Sequence, residues 1–215
     1  MSEQDSGSRD IPWWGTASAA AAPLLLVGGM MIAAELQPPG FAVFSGTVSS
    51  LAGQGAVDAW VMTLTFAIVG ALDVVTAVGL RAAAPSGRLV LAGAGLAGML
   101  VAAFPEHLGG SLIHACWAGV GFAGLTLWPV FAVRRGADEP WALRASASYL
   151  VTATLAALMV WFAVEEATRG AEMGVAERLA GVAQTFWPLV VVRSCRREQA
   201  VAGELAGEYA DGRGV

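Results

Sequence analysis

Residues 59–80 read AWVMTLTFAIVGALDVVTAVGL, and the only charge in that run is Asp73. An α-helix rises about 1.5 Å per residue, so about 20 apolar residues cross a hydrocarbon core of about 30 Å. The run therefore predicts a transmembrane helix. Five more runs of the same kind cover residues 16–35, 89–104, 111–133, 145–164 and 179–192. The breaks between them carry turn formers or charge. Pro38 and Pro39 follow the first run, Pro85 lies between the second and third, and Pro105, Glu106 and His107 follow the third. A charged loop at 134–144 and an acidic segment at 165–177 separate the rest.

The whole chain agrees with that run. Its 215 residues are 56% hydrophobic and 13% charged, with mean hydropathy +0.63. An ordinary soluble domain is about 25% charged. A soluble enzyme, a nucleic-acid binder and a disordered chain are excluded in practice. A net charge of −5 also argues against binding a polyanion. The expected fold is all-α, a polytopic membrane bundle of six transmembrane helices in the cell membrane. Residues 1–15 form an N-tail, 16–192 the membrane domain and 193–215 a polar, partly disordered C-tail. The N-terminus lacks the basic region of a cleavable signal, so the first run is expected to stay as a span. Cys116 and Cys195 lie in unlike environments and are not expected to pair.

All twelve basic residues are arginines, and ten of them fall in the N-tail, the turn at 81–88, the loop at 134–144 and the C-tail. Only Arg169 and Arg178 lie in the alternate loops. Positive charge near span ends stays in the cytoplasm, so both termini are expected there. The acids show the opposite bias: Glu35, Asp58, Glu106, Glu165, Glu166, Glu172 and Glu177 all fall on the outer side.

Two patterns invite a functional reading and have a structural one. Gly93, Gly95 and Gly98 spell G-x-G-x-x-G, as do Gly119, Gly121 and Gly124. A dinucleotide fingerprint needs a preceding strand. Both patterns lie inside apolar spans, where small residues let helices approach closely. The third and fourth spans are expected to pack through Gly95, Gly98, Gly121 and Gly124. Most of the eight tryptophans, Trp60, Trp117, Trp128, Trp141 and Trp187 among them, lie near span ends and suit interfacial anchoring. Trp117 and Trp161 are the stronger candidates for a pocket wall.

An ionisable group within a bundle is costly and is a functional candidate by default. Ser111 and His114 are three apart on one helix face, and Glu106 lies just before that helix. A serine, a carboxylate and an imidazole at the membrane boundary suit general acid–base work. Polar residues in an outer loop are also the ordinary case. Asp73 lies toward the inner half of the second span, either protonated, paired with Arg81 or Arg88, or bonded to Thr76. Glu165 and Glu166 are adjacent, so at most one faces the bundle. The candidate catalytic set is Glu106, His114, Ser111, Asp73 and Glu165. Scattered carboxylates with one or two histidines give no metal-ligand spacing, and neither a metal nor a cofactor is expected.

Several short elements carry a resemblance. They are Ser49-Ser50-Leu51-Ala52-Gly53 in the first outer loop, a long second span ending in Arg81, and Phe104-Pro105 followed by Glu106. His114 at the start of the fourth span and the pair Glu177-Arg178 opening the last complete them. Over about residues 20–197 the chain resembles a bacterial six-span membrane family known as domain of unknown function 998. That family often has two histidines about a turn apart in the fourth span, and here only His114 fits. In size and topology the chain also resembles small membrane-integral terpene cyclases, which are acid-dependent and tryptophan-rich.

The functional expectation is an intramembrane acid–base enzyme acting on a lipid or prenylated substrate, for example by protonation-initiated isoprenoid cyclisation. The alternatives are a serine-assisted lipid hydrolase and a non-catalytic membrane module or small transporter. The expected partners are the lipid bilayer and a lipid or prenylated small molecule, with no nucleic acid and the oligomeric state left open. Reporter fusions after Arg81 and Arg135 should report cytoplasm, and fusions after Gln54 and Glu172 the outside. A swapped pattern at two or more sites contradicts the topology.

Overall fold

A computed structural model describes residues 10–107, 110–136 and 139–211. The expected N-tail before Asp10 and the end of the chain after Asp211, with Arg9 and Arg213, lie outside the described residues. The helices are α1 (Trp13–Glu35), the one-turn α2 (Val48–Leu51), α3 (Trp60–Gly79), α4 (Pro85–Ala103), α5 (Leu112–Phe131), α6 (Ala145–Thr168) and α7 (Met173–Asp211). Among the described residues there is no strand. Six of these helices, all but α2, are long and apolar enough to cross a membrane. In hydrocarbon an unpaired backbone amide has no water to turn to, so helices are the expected spanning form.

Local chemistry sets the helix ends. Pro85 occupies the first turn of α4, where its missing N–H costs nothing and its fixed φ suits a helix. The Thr47 side chain caps α2 by accepting from Ser50 N at 3.0 Å, and Ser111 caps α5 by accepting from His114 N at 3.3 Å. α6 ends at Arg169, whose φ of 53° reverses the chain.

The spans alternate in direction, which sorts the loops into two ends. At the arginine end, guanidinium groups bond open carbonyls at the end of α3 and in the turn that follows it. Arg88 donates to Ala77 O at 2.8 Å and Val78 O at 2.9 Å, and Arg134 donates to Ala82 O at 2.9 Å. Arg196 of α7 reaches Thr16 of α1 at 3.1 Å. An apolar cluster around Leu80, Leu91, Trp128, Leu143 and Val191 fills this end. A second cluster, around Leu26, Met30, Leu51, Met62 and Val69, fills the acidic end.

The main helix contacts are α1–α3, α3–α4, α4–α5, α5–α6, α6–α7 and α1–α7, and α7 also meets α5 and the short α2. The closest approach is between α3 and α4. A Cβ added to Gly95 would lie 2.5 Å from Gly70 O and 3.0 Å from the Asp73 Cβ. This corrects the expected glycine seam, because Gly95 packs on α3 and not on α5. The α4–α5 contact sets Gly121 and Gly124 against Ala94 and Ala97, with a Gly124 Cβ placed 2.8 Å from that of Ala94. Gly98 lies beside both neighbours: its added Cβ meets Gly70 Cα at 3.7 Å, and a Gly121 Cβ meets its amide at 3.9 Å. Gly93 and Gly119 face open space.

Three further expectations change. α7 continues through residues 193–211, where Ala, Glu, Arg and Gln favour a helix, so the described part of the C-tail is ordered. Trp128 is fully buried in the arginine-end cluster and anchors the core, not the interface. Met173–Asp211 also takes in Glu177, which the sequence assigns to an acidic connecting segment.

Gly95→Leu should force α3 and α4 apart and lower stability in detergent by about 1–3 kcal/mol or more, the usual range for overpacking. Gly93→Leu, which meets no atom within 4 Å, should leave thermal unfolding nearly unchanged. Equal effects would contradict this helix register.

Candidate functional site

Helices α1, α3, α4, α5 and α7, together with α2, enclose a cavity of about 110 Å³. Small residues make the space: Gly70, Ala94, Gly98, Ala118, Gly121 and Gly181 all line it. The wall is otherwise mainly hydrocarbon, with Leu26, Met30, Phe66, Val69, Phe122 and Leu125. Its polar members are Ser49, Asp73, Glu177, Gln184 and Thr185, and no arginine, lysine or histidine is among the lining residues.

Helix geometry gives their depths. Asp73 lies thirteen residues into α3 from the acidic end and Gln184 eleven residues into α7, so both sit roughly 16–20 Å deep along their helices. Glu177 is four residues into α7, about 6 Å deep and nearer the acidic end. On α7, Glu177, Gly181 and Gln184 follow i, i+4, i+7 spacing and so share a face. On α3, Phe66, Gly70 and Asp73 do the same.

Asp73 is 3% exposed, and its Oδ1 is buried with no hydrogen-bond partner. The expected partners are engaged elsewhere. Arg88 closes the end of α3, and Thr76 bonds Ser18 Oγ at 2.8 Å. Arg81 is exposed. Gln184 is fully buried. Its Nε2 donates to Thr126 Oγ1 at 2.8 Å and Phe122 O at 3.1 Å, while its Oε1 has no partner.

Glu177 is buried yet well supplied with donors. Its carboxylate accepts from Val48 N, from Ser49 N at 3.4 Å and from Ser49 Oγ at 3.1 Å. The adjacent Arg178 donates through one Nη1 to Val43 O at 2.9 Å and to Gly46 O and Gly174 O at 2.8 Å. One Glu-Arg pair thus fastens the loop of residues 36–59 to α7 at the acidic end of the cavity. Gly174 is required here, since a Cβ would lie 2.6 Å from Arg178 Nη1. Gln54 N donates to Glu106 O at 2.8 Å, which ties the same loop to the end of α4.

Of the five sequence candidates, Asp73 lines the cavity, and Glu106, Ser111, His114 and Glu165 do not. His114 is 5% exposed; its Nδ1 lies 3.0 Å from Phe104 O, and its Nε2 has no partner. Ser111 meets the His114 backbone amide and not its ring. Glu165 accepts from Glu172 N at 3.0 Å and so shapes the α6–α7 turn. Trp117 and Trp161 are half-buried, and neither is a lining residue. Sequence reading missed Gln184 and gave Glu177 no chemical role. The signal for both was their helical spacing across Gly181.

Two of the short elements behind the family resemblance, Ser49-Ser50-Leu51 and Glu177-Arg178, meet in this clamp although 128 residues apart. Helix count, apolar spans and buried polar groups define a multi-pass helical membrane protein. The family described as "Protein of unknown function (DUF998)" matches residues 19–194, and the chain belongs to it. No curated protein and no solved structure matches the chain.

Glu177→Ala would leave the buried Val48 amide without its acceptor, at a cost of about 1–3 kcal/mol per unpaired group. Amide exchange at Val48 and Ser49 should rise by tenfold or more, with the amides of α4 unchanged. Unchanged exchange at both would show that Glu177 does not hold the loop.

Proposed function

We propose that the protein is a proton-linked membrane carrier for a small solute, with Asp73 as the group that takes and gives up the proton. The observation that carries this reading is the unpartnered, buried Asp73 carboxyl in a cavity whose lining has no basic side chain. A carboxylate in an apolar interior must be neutralised by a proton or a cation. Asp73 therefore holds a proton when the cavity is empty. Glu177 stands nearer the acidic end, where Ser49 and the backbone of α2 solvate it. The cavity's volume limits the solute. An engineered protein cavity of about 150 Å³ holds benzene, so about 110 Å³ suits a guest of about five or six heavy atoms. A whole prenylated aromatic exceeds that.

The arginine bias supports placing both termini in the cytoplasm of a cell membrane, with the clamp and Glu177 toward the outside. The hydrocarbon wall favours a second reading, an acid–base enzyme in which Asp73 protonates the end of an apolar chain entering from the bilayer. The small volume argues against it.

Protein reconstituted in liposomes with an internal pH dye separates the two. The carrier should acidify or alkalinise the lumen in response to a solute gradient, and Asp73→Asn should reduce that flux by at least tenfold with insertion unchanged. Full flux in Asp73→Asn rejects the reading. Covalent turnover of a supplied lipid, lost in Asp73→Asn and without flux, would favour the enzyme.

A further inference from the structure

The two orphaned buried atoms of the cavity are both acceptors: Asp73 Oδ1 and Gln184 Oε1. The amide of Gln184 cannot be turned round to remove this need. Phe122 O can only accept, and Thr126 Oγ1 donates its own proton to Phe122 O at 2.8 Å. The NH₂ group must therefore face both, and the carbonyl is left as an acceptor. Asp73 of α3 and Gln184 of α7 line the same cavity and lie at similar depths along their helices. Thr185, the other deep polar residue of the lining, donates its hydroxyl proton to Gly181 O at 2.7 Å. Apart from the proton on Asp73 itself, the lining residues thus bring no free donor and no positive charge to this pair.

A ligand that completes the site must bring both. We propose that the cavity binds a compact primary alkylammonium ion, whose N–H groups donate to Asp73 and Gln184. Its alkyl body lies against Val69 and Leu125, and the faces of Phe66 and Phe122 are suited to a cation. This identifies the solute class and rests on the reading of Asp73 as the proton-exchanging group. The balance is simple. An ammonium ion enters as RNH₃⁺, the Asp73 O–H bond breaks, and that proton leaves to water. The charge of the cavity stays the same, and one proton is released per ion bound. The titratable groups lining the cavity are Asp73 of α3 and Glu177 of α7; α1, α2, α4 and α5 supply none among the described residues.

The test is calorimetric titration of the full chain in detergent micelles with isobutylammonium, and with isobutanol as a neutral mimic. Repeating it in buffers of different ionisation enthalpy counts the protons. Isobutylammonium should bind at least tenfold more tightly than isobutanol and release about one proton. Asp73→Asn should abolish binding, and Gln184→Met should weaken it about tenfold, as loss of one charge-assisted hydrogen bond does. Isobutanol binding as tightly as the ammonium ion, or unchanged ammonium affinity in Asp73→Asn, overturns the proposal. Should either variant fail to fold, the comparison of the two ligands and the proton count on the unaltered protein decide it. Binding without flux in liposomes would retain this site and reject the carrier, whereas flux without ammonium binding would do the reverse.

Discussion

Hydrocarbon supplies no hydrogen-bond partner, so a polar group inside this bundle must find one within the protein. Most do. Arg88 caps the end of α3 and Arg134 holds the turn after it at one face of the bundle, and Glu177 and Arg178 fasten a loop at the other. Ser18 and Thr76 pair between α1 and α3, and Gln184 and Thr126 between α7 and α5. Other buried side-chain atoms also lack a partner, among them His114 Nε2, Trp128 Nε1 and Trp187 Nε1, but the open atoms of Asp73 and Gln184 are the ones that line the cavity. They share one cavity, and once Asp73 gives up its proton both are acceptors, which is why an incoming partner must be a donor.

Small residues serve two ends in the same helices. Where backbones meet, as at Gly70 and Gly95, the lack of side chains lets α3 and α4 approach until a methyl group would not fit. Where they do not meet, as at Gly98, Gly121 and Gly181, the same lack leaves the space that becomes the cavity. Gly70 takes part in both, and Asp73 follows it by one helical turn. The tight seam with α4 reaches Asp73 itself, whose Cβ lies beside Gly95, and the residue lines the void next to that seam.

The six spans were legible because hydrophobic runs of bilayer length need no tertiary information. Partner choice was not. The sequence places Gly95 and Gly98 in one stripe, but only the rotation of α4 decides that Gly95 faces α3. The extension of α7 beyond residue 192 was hidden by polarity, since a helix leaving the bilayer loses its apolar signature while keeping good helix formers. Candidate residues were legible where a charge interrupts an apolar run, as at Asp73. Glu177 was obscured because it sits with three other acids within residues 165–177. Gln184, being uncharged, is marked in the sequence only by its helical spacing from Glu177 across Gly181. Glu106, Ser111 and His114 are near one another in sequence, but the helix start spends the serine on a backbone amide and leaves all three outside the cavity lining.

Infrared spectroscopy of the protein in lipid reads the protonation of Asp73 most directly. A neutral carboxyl group absorbs apart from a carboxylate, and weak hydrogen bonding moves its band higher. At neutral pH and without added solute, the protein should show such a high-frequency carboxyl band. It should vanish in Asp73→Asn and persist in Glu106→Gln. Absence of the band in the unaltered protein, or its survival in Asp73→Asn, would contradict an exchangeable proton held in this cavity.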